Sequence, residues 1–441
     1  MGNRMPTTTP AVRYAIVGTG ARHAMFSRAI AETYAGSAEL VGLCDCNPVR
    51  LSQAARAVPG QTGNGIATYG PDDFERMIAE QRPGAVVVTV PDAVHHDYIV
   101  RAMDAGCDVV TEKPMTTDLA RLRAILEARR RTGRRVTVTF NYRYTPARTQ
   151  LKDVLMSGAI GRITAVDFRW HLDRVHGADY FRRWHRVKAN SGGLLVHKST
   201  HHFDLLNWWL GDTPVRVTAR GQRAFYTPAM AAELGLAGHA ARCRDCPLPC
   251  DFRLDLAADP ALRALYLEAE AEDGYLRDRC VFDAGIDIED TMQLLIGYAG
   301  GASATYSLCA YSPWEGLEIT FLGTRGELTH RHVEVHGVFG GQRDLTNRDS
   351  MATVLHVAGR APESLEVWQG EGDHGGADPV MLGYLFAPEA QPEDRYGRGS
   401  SEIDGGWSIL TGIAGNESMR SGQTVEVDAY LAAAGIALPR P

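Results

Sequence analysis

The first third of the chain alternates short apolar runs with longer segments of amphipathic spacing. Four valine-rich or otherwise apolar runs, at 14–17, 84–90, 107–112 and 134–140, predict strands, and a fifth lies at 38–45. The segments near 24–34, 92–105 and 119–131 have helical composition. Continuous apolar strands between amphipathic helices predict a parallel sheet covered on both faces.

A glycine turn follows the first predicted strand. Gly18 permits a tight turn and Gly20 lets the backbone approach a pyrophosphate, while Ala21, Arg22 and His23 lead into a helix whose N–H groups would face the phosphates. His23 stands where the third glycine of G-x-G-x-x-G is usual. Because many turns contain G-x-G, an α/β domain without a dinucleotide stays open as an alternative.

Asp45, at the end of the second predicted strand, strengthens the dinucleotide interpretation. It follows the glycine turn at the distance expected of an acid that binds the adenosine ribose hydroxyls. A carboxylate there repels a 2′-phosphate, so we expect NAD rather than NADP.

Polar residues follow two later strands, where ligands of such sheets bind. Pro91 and His95 come after one strand, and Glu112 and Lys113 come after the next. We expect all four near the cofactor. Lys113, fixed by Pro114, could reach a substrate hydroxyl beside the nicotinamide; a surface lysine on a loop is the simpler alternative.

Length and charge narrow the class of protein. The 441 residues suffice for two cores, and the net charge of −7 with no basic block disfavours nucleic acid. No apolar run is long enough for a membrane span, and the N-terminus lacks the apolar core of a secretory signal, so we expect a cytoplasmic protein. Its eight cysteines are then free thiols or metal ligands.

Four cysteines cluster in a predicted insert at about 221–285. Cys243, Cys246, Cys250 and the more distant Cys280 can supply a tetrahedral thiolate site, and we expect a closed, structural zinc ion. An iron–sulfur cluster and a set of free thiols are the alternatives.

The stretch "HKSTHHFD" at 197–204 carries the densest chemistry. If the helix that follows extends backwards, His197 and His201 lie four residues apart on one face, with Asp204 three further along. A histidine can take the proton of a sugar hydroxyl as hydride leaves, Lys198 or Lys113 can stabilise the alkoxide, and Asp204 could orient His201.

Two other interpretations of this stretch stay open. H-x-x-x-H followed by an acid also suits catalytic zinc, although Lys198 stands where a metalloprotease has glutamate. The second is a structural helix cap by Ser199 or Thr200 with exposed histidines. Gly211 is expected to end the helix.

Together, "GTGARH", Asp45, "VPDAVH", "EKPM", "NYRY" and "GGLLVHKSTHHFD" resemble the glucose–fructose oxidoreductase / inositol dehydrogenase (Gfo/Idh/MocA) family. The resemblance implies a Rossmann domain at 1–142 and an α/β domain with a large, open, mostly antiparallel sheet at 143–441. It also implies a nicotinamide cofactor, a carbohydrate substrate and a homo-oligomer, a dimer or tetramer. Lys113 matches the family's substrate-contacting lysine and His201 the histidine of D-x-G-x-H-x-x-D, whereas His197 replaces its first aspartate.

Further residues are candidates for substrate contact. Tyr142 offers a ring on which a sugar can stack, Arg143 could meet an anionic substituent, and Asp204 lies beside the histidines. His374 lies in a glycine-rich loop at 372–379 that could close over a sugar or be an ordinary surface loop.

The leading functional prediction is an NAD-dependent oxidoreductase that moves hydride between a ring carbon of a sugar or glycoside, with C3 as one candidate, and nicotinamide. One alternative is an NAD-dependent glycosidase that works by transient C3 oxidation and elimination. Another is a non-enzymatic NAD-binding regulator.

Overall fold

The computed structural model describes residues 10–60, 65–334, 350–371 and 373–440, except for the side chains of residues 373 and 374. Within this part of the chain, the helices are all too short or too polar to cross a membrane.

The first sheet has six parallel strands in the order β3-β2-β1-β4-β5-β6, as the alternating pattern predicts. The strands are β1 (Val12–Val17), β2 (Ala38–Cys44), β3 (Ala67–Tyr69), β4 (Ala85–Val88), β5 (Asp108–Thr111) and β6 (Val136–Val138). The helices between them are α1 (His23–Arg28), α2 (Pro48–Ala57), α3 (Phe74–Gln81), α4 (His95–Asp104) and α5 (Leu119–Thr132). The strand order reverses between β1 and β4, which is where such sheets bind dinucleotides.

The second sheet has nine strands in the order β14-β13-β12-β11-β7-β10-β9-β8-β15. The strands are β7 (Ile163–Asp173), β8 (Pro214–Gln222), β9 (Thr291–Tyr298), β10 (Ser303–Ser312), β11 (Glu315–Gly323), β12 (Gly326–Glu334), β13 (Ser350–Val357), β14 (Glu363–Leu365) and β15 (Val425–Glu426). Neighbours are antiparallel except β7 and β10, which run parallel. The large, mostly antiparallel sheet implied by the resemblance is confirmed.

The remaining α-helices belong to the second domain and its insert. They are α6 (Pro146–Met156), α7 (Arg174–Arg182), α8 (Lys188–Ser191), α9 (Leu194–His197), α10 (Thr200–Leu210), α11 (Pro228–Glu233), α12 (Pro260–Leu262), α13 (Glu270–Asp273), α14 (Asp373–Phe386), α15 (Glu402–Ser421) and α16 (Val427–Ala433). The buried helix α15 passes so close to α9 that a β-carbon on Gly412 would lie 2.3 Å from the Leu195 carbonyl oxygen. This contact fixes the segment that ends at His197.

Two segments of the second domain reach back to the first. The predicted loop at 372–379 is instead helical from Asp373 onward, because α14 buries Met381 and Phe386, and the Phe386 ring packs edge-on at 5.0 Å against Tyr14 of β1. The insert between β8 and β9 contacts α2, where the Asn47 side chain donates to the Ala269 carbonyl at 2.9 Å.

Candidate active site

The glycine turn after β1 has the shape that a pyrophosphate needs. Gly18 has a φ of 91°, and a β-carbon there would lie 2.7 Å from the Thr89 carbonyl carbon, so only glycine fits. A β-carbon built on Gly20 would have no other atom within 4 Å, so the space on that side of the Gly20 backbone is open. The ring of His23 folds back instead of facing outward, with Nδ1 2.6 Å from the Gly20 carbonyl oxygen.

Asp45 directly follows β2, and its carboxylate is held in place by the backbone. Oδ2 accepts from the Thr19 N–H at 2.5 Å and its hydroxyl at 2.9 Å, while Oδ1 accepts from the Asn47 N–H at 2.7 Å. The acid therefore lies beside the glycine turn, in the position from which it could bind a ribose.

Arg22 links the glycine turn to the end of β5. Its Nε donates to Glu112 at 2.6 Å, and a terminal nitrogen lies 3.7 Å from Asp378 of α14. Asp378 also accepts from the Asn141 side chain at 2.7 Å. Arg22 and Glu112 thus lie close together, as predicted, and Asp378 of the segment predicted as a loop at 372–379 joins them.

His95 links two turns of the first domain, and its contact with the cofactor stays a prediction. Its two ring nitrogens lie 2.8 Å from the carbonyl oxygens of Val90 and Pro114, and burial lowers its pKa. The ring joins the turn after β4, which contains Pro91, to the turn after β5. It therefore sets the relative position of these two turns.

The centre of the site is a buried acid–histidine pair. His197, the last residue of α9, has Nδ1 2.5 Å from Oδ2 of Asp92, which begins the turn after β4. The Lys113 ammonium donates to the His197 carbonyl at 3.3 Å. The ring of His185 lies 4.1 Å from that of His197 and stacks on Trp184 at 3.7 Å.

Burial controls the ionisation of these groups. Loss of water lowers the pKa of His197 well below its ordinary value, and neighbouring His185 and Lys113 lower it further. The same desolvation raises the pKa of Asp92, against the attraction of Lys113 and Arg183. It lowers the pKa of Lys113 to about 8, partly offset by Asp92 and Glu112. Burial thus favours the uncharged form of the His197 ring.

A second layer of the site contains Lys198, Tyr142 and His201. The Lys198 ammonium donates to the Tyr142 hydroxyl at 3.3 Å and lies 4.9 Å from the Trp170 ring. His201 stacks on Tyr142, with ring centroids 4.2 Å apart and planes 16° from parallel. The two histidines predicted to share one helical face thus contact different partners, His197 on Asp92 and His201 on Tyr142.

Three predicted details of this stretch are wrong. Ser199 does not cap α10, because its hydroxyl accepts from Tyr306 at 2.8 Å, and Thr200 bonds Ser408 instead. Asp204 does not orient His201, because it pairs with Arg143. The histidines are buried, not exposed as a purely structural cap would have them. Gly211 ends the helix as predicted.

Arg143 and Asp204 form an internal ion pair. The guanidinium donates to both carboxylate oxygens, at 2.8 and 2.6 Å, and also to Asp404 at 2.9 Å. Both residues are almost fully buried. Their predicted contact with substrate is at odds with this pairing, because their charges are satisfied inside the protein. The side chain of His374 lies outside the described residues.

The metal predictions are not matched by a preformed site. Within the described part of the chain, no three histidine, cysteine or acidic side chains are arranged to hold a metal ion. Neither His197 and His201 nor the four cysteines form such an arrangement as they stand. The four cysteines of the insert are free thiols that line one cavity.

Comparison with known proteins agrees with this geometry. Residues 12–140 match the GFO_IDH_MocA family model "Oxidoreductase family, NAD-binding Rossmann fold", and residues 152–427 match "Oxidoreductase family, C-terminal alpha/beta domain". The fold and site therefore define a nicotinamide-type oxidoreductase. The chain belongs to the Gfo/Idh/MocA oxidoreductase family, so a non-enzymatic role is disfavoured.

Individual relatives sharpen the comparison. YteT of Bacillus subtilis (strain 168), which is named as an oxidoreductase, is 34% identical over 401 residues, 88% of this chain and 91% of YteT. The D-glucoside 3-dehydrogenase of Escherichia coli (strain K12) is 28% identical over 211 residues, 47% of this chain and 57% of that protein. Levoglucosan dehydrogenase, solved in complex with NADH and L-sorbose, has the same fold: the TM-score is 0.66 at 17% identity, with 95% of this chain and 99% of that chain covered.

Among the residues of the site, sequence reasoning missed Asp92 and His185. Asp92 was within reach, because it lies in the motif "VPDAVH" after a strand end. No motif pointed to His185. It precedes the glycine-rich segment, in an arginine-rich stretch whose composition is typical of an exposed surface.

Proposed function

We propose that this enzyme oxidises a hydroxyl-bearing ring carbon of a sugar or glycoside, with His197 as the general base. The observation that carries the proposal is the 2.5 Å contact between His197 Nδ1 and Asp92, beside Lys113 and beyond the carboxyl ends of β4 and β5. With Nδ1 held by Asp92, the Nε2 atom of the uncharged ring is the proton acceptor.

Each neighbouring residue has a part in this chemistry. Lys113 places its ammonium next to the base and stabilises negative charge on the substrate oxygen as the proton leaves. Lys198 is held by Tyr142, so it adds a second positive charge at a fixed place. A nicotinamide bound along the glycine turn would accept the hydride. His201, stacked on Tyr142, borders the substrate.

We propose NAD as the cofactor in preference to NADP. The Asp45 carboxylate is anchored by Thr19 and Asn47, so it cannot turn away from a ribose 2′-phosphate without losing these hydrogen bonds. A fixed negative charge there disfavours the phosphate and suits two hydroxyls.

The C3 position of a hexose ring is our preferred site of oxidation. The support is the resemblance to D-glucoside 3-dehydrogenase, which covers about half of this chain. A panel of glucosides, free aldoses and inositols, incubated with NAD while NADH absorbance is followed, tests both the activity and the substrate class. We expect NADH with at least one ring-hydroxyl substrate and an oxo group at C3 of the product. A panel without NADH formation or aglycone release contradicts the proposal.

A second candidate is glycoside cleavage through transient C3 oxidation. It is favoured by the contacts that the second domain makes with both ends of the cofactor groove: Asp273 pairs with Arg50 near Asp45, and Asp378 lies 3.7 Å from Arg22. Such contacts favour retention of the cofactor between turnovers. Aglycone release without net NADH would select this candidate over the dehydrogenase.

We also propose that the enzyme is a homo-oligomer, a dimer or tetramer. Support comes from the resemblance to the family, which implies an oligomer; Leu295 of β9, 54% exposed, is one position at which contact with a second copy can be probed. Light scattering on the purified protein measures the oligomeric state directly.

A further inference from the structure

Four cysteines that are scattered along the insert meet around one small cavity. Cys243, Cys246, Cys250 and Cys280 all line it, and its narrow part, of about 30 Å³, has room for one small ion or water molecule. The four thiols are half-buried and free of disulfides.

Backbone pairing brings the distant cysteine to the others. The Cys243 N–H donates to the Asp278 carbonyl at 2.8 Å, and the Cys280 N–H donates to the Ala241 carbonyl at 2.9 Å. These two bonds form an antiparallel bridge between Arg242 and Arg279. The backbone therefore holds Cys243 and Cys280 on adjacent segments. Arg242 and Asp278, which lie on these two segments, are 36 positions apart in the sequence.

Two of the sulfurs accept backbone hydrogen bonds with the same offset. The Phe282 N–H donates to the Cys280 sulfur at 3.4 Å, and the Phe252 N–H donates to the Cys250 sulfur. An N–H group aimed at sulfur from two residues downstream stabilises negative charge on that sulfur, which is the state in which cysteine binds metals.

Two arginines line the cavity, and they have different partners. Arg253 donates to the Cys246 carbonyl at 3.1 Å. Arg242 is instead paired with Glu270 and Asp278. Four thiolates around a divalent ion carry a net charge of about −2, which the Arg253 guanidinium partly offsets.

We propose that Cys243, Cys246, Cys250 and Cys280 bind one structural zinc ion. In the described residues the thiols are not yet arranged as a metal site, so binding must draw the four sulfurs inward from the cavity wall to about 2.3 Å from the ion. Each thiol that becomes a ligand releases its proton to solvent, and no electron is transferred.

The position of this site suits a structural role for the metal. The ends of the insert pack into the main core through Phe225 and Phe282, but its middle has a small core of its own, around Leu254, Leu262 and Tyr266. From the cysteines, Arg242 reaches Glu270 at 2.7 Å. The segment that contains Glu270 also contacts α2, through the Ala269 carbonyl and Asp273. A metal at the cysteines would fix this segment against the cofactor domain.

Metal analysis of the full-length protein, expressed with zinc in the medium, tests the proposal. We expect about one zinc per chain, and near-complete loss of zinc in Cys246→Ser and Cys280→Ser. Cys309→Ser is the matched control, because Cys309 lies in β10 and is absent from the cavity lining, and it should keep its zinc.

Wild-type protein provides a second measurement in case the serine variants fail to fold. Stepwise addition of a mercurial reagent should release zinc to a colorimetric chelator as the cluster thiols react. Zinc far below one per chain, after expression and refilling with zinc, would overturn the proposal. So would stoichiometric iron with the visible absorbance of an iron–sulfur cluster, or zinc that persists in both cysteine variants.

Discussion

Two buried polar pairs lie close to each other at the domain junction, and they differ in how completely their charges are satisfied. Arg143 and Asp204 share two short hydrogen bonds, and Asp404 takes a further guanidinium N–H. Asp92 and His197 share a single contact of 2.5 Å, among Lys113, His185 and Arg183.

This difference distinguishes a pair that stabilises the fold from a pair that can take part in catalysis. A guanidinium that is paired with two carboxylates inside the protein has its charge satisfied there. A histidine that is held through one nitrogen, uncharged by burial and next to a lysine can still exchange a proton. Both pairs hold the α9–α10 segment, but only Asp92–His197 also supplies reactive atoms. The following changes separate the two roles.

His197→Asn should cause the largest loss of activity. Asparagine can keep a hydrogen bond to Asp92 but cannot act as a base, so we expect turnover of the best panel substrate to fall by about 10²- to 10⁴-fold. NAD affinity should stay unchanged. His356→Asn, at an exposed position of β13, is the matched control and should retain full turnover. Wild-type turnover in His197→Asn would remove His197 from the mechanism.

Arg143→Met should act on stability and leave the chemistry intact. It leaves Asp204 buried without its main partner, so we expect the free energy of unfolding in urea to drop by about 3–5 kcal/mol. The turnover of the protein that remains folded should be near normal. Adding Asp204→Leu should recover much of the stability. A variant with normal stability and abolished turnover would show that Arg143 contacts substrate after all.

The pH dependence of kcat/KM should follow the ionisation of Lys113. Because burial lowers its pKa to about 8, the ammonium is lost as the pH rises through 8, and kcat/KM should decline there. Lys113→Arg should remove this decline, since arginine stays charged. The pKa of Lys113 is about 8 in the folded protein and 10.5 ordinarily, so between pH 8 and 10.5 the unfolded state binds more protons than the folded state. In that range the contribution of Lys113 to the free energy of unfolding increases as the pH rises. An unchanged limb near pH 8 in Lys113→Arg would assign it to another group.

Asp45→Ser should have the smallest effect. Removal of the carboxylate relieves repulsion of a 2′-phosphate, so we expect the ratio of the NAD and NADP dissociation constants to shift towards NADP by about 10-fold, or about 1.4 kcal/mol. Fluorescence titration with both cofactors measures this ratio. A preference that does not change would place the determinant elsewhere.

The sequence predicted the first domain well because its signals are local. A valine run followed by Gly18 and Gly20 specifies strand and turn within a few residues, and the parallel order follows from the alternation. The helices at 95–104 and 119–132 end within a residue or two of the predicted bounds. The first residues of α14, at 373–379, were predicted as a loop, because the helix depends on burial against Tyr14, which lies more than 300 residues away.

The sequence predicted which residues lie in the candidate site better than it predicted their contacts. Lys113 contacts His197, and Lys198 and His201 both contact Tyr142. These residues lie either in the turns beyond β5 and β6 or in the α9–α10 segment. Spacing alone gave His201 the wrong partner, since Asp204 is satisfied by Arg143 across the junction. The pairing of His197 with Asp92 joins residues 105 positions apart, which no local pattern encodes.

The most direct test of the central claim is single-turnover NADH formation in Asp92→Asn, His197→Asn and the double variant, with the best panel substrate. If Asp92 acts only by positioning His197, we expect Asp92→Asn to slow the step by about 10- to 100-fold and the double variant to match His197→Asn alone. If the two losses multiply in the double variant, Asp92 and His197 act independently and the dyad is not the base of this enzyme.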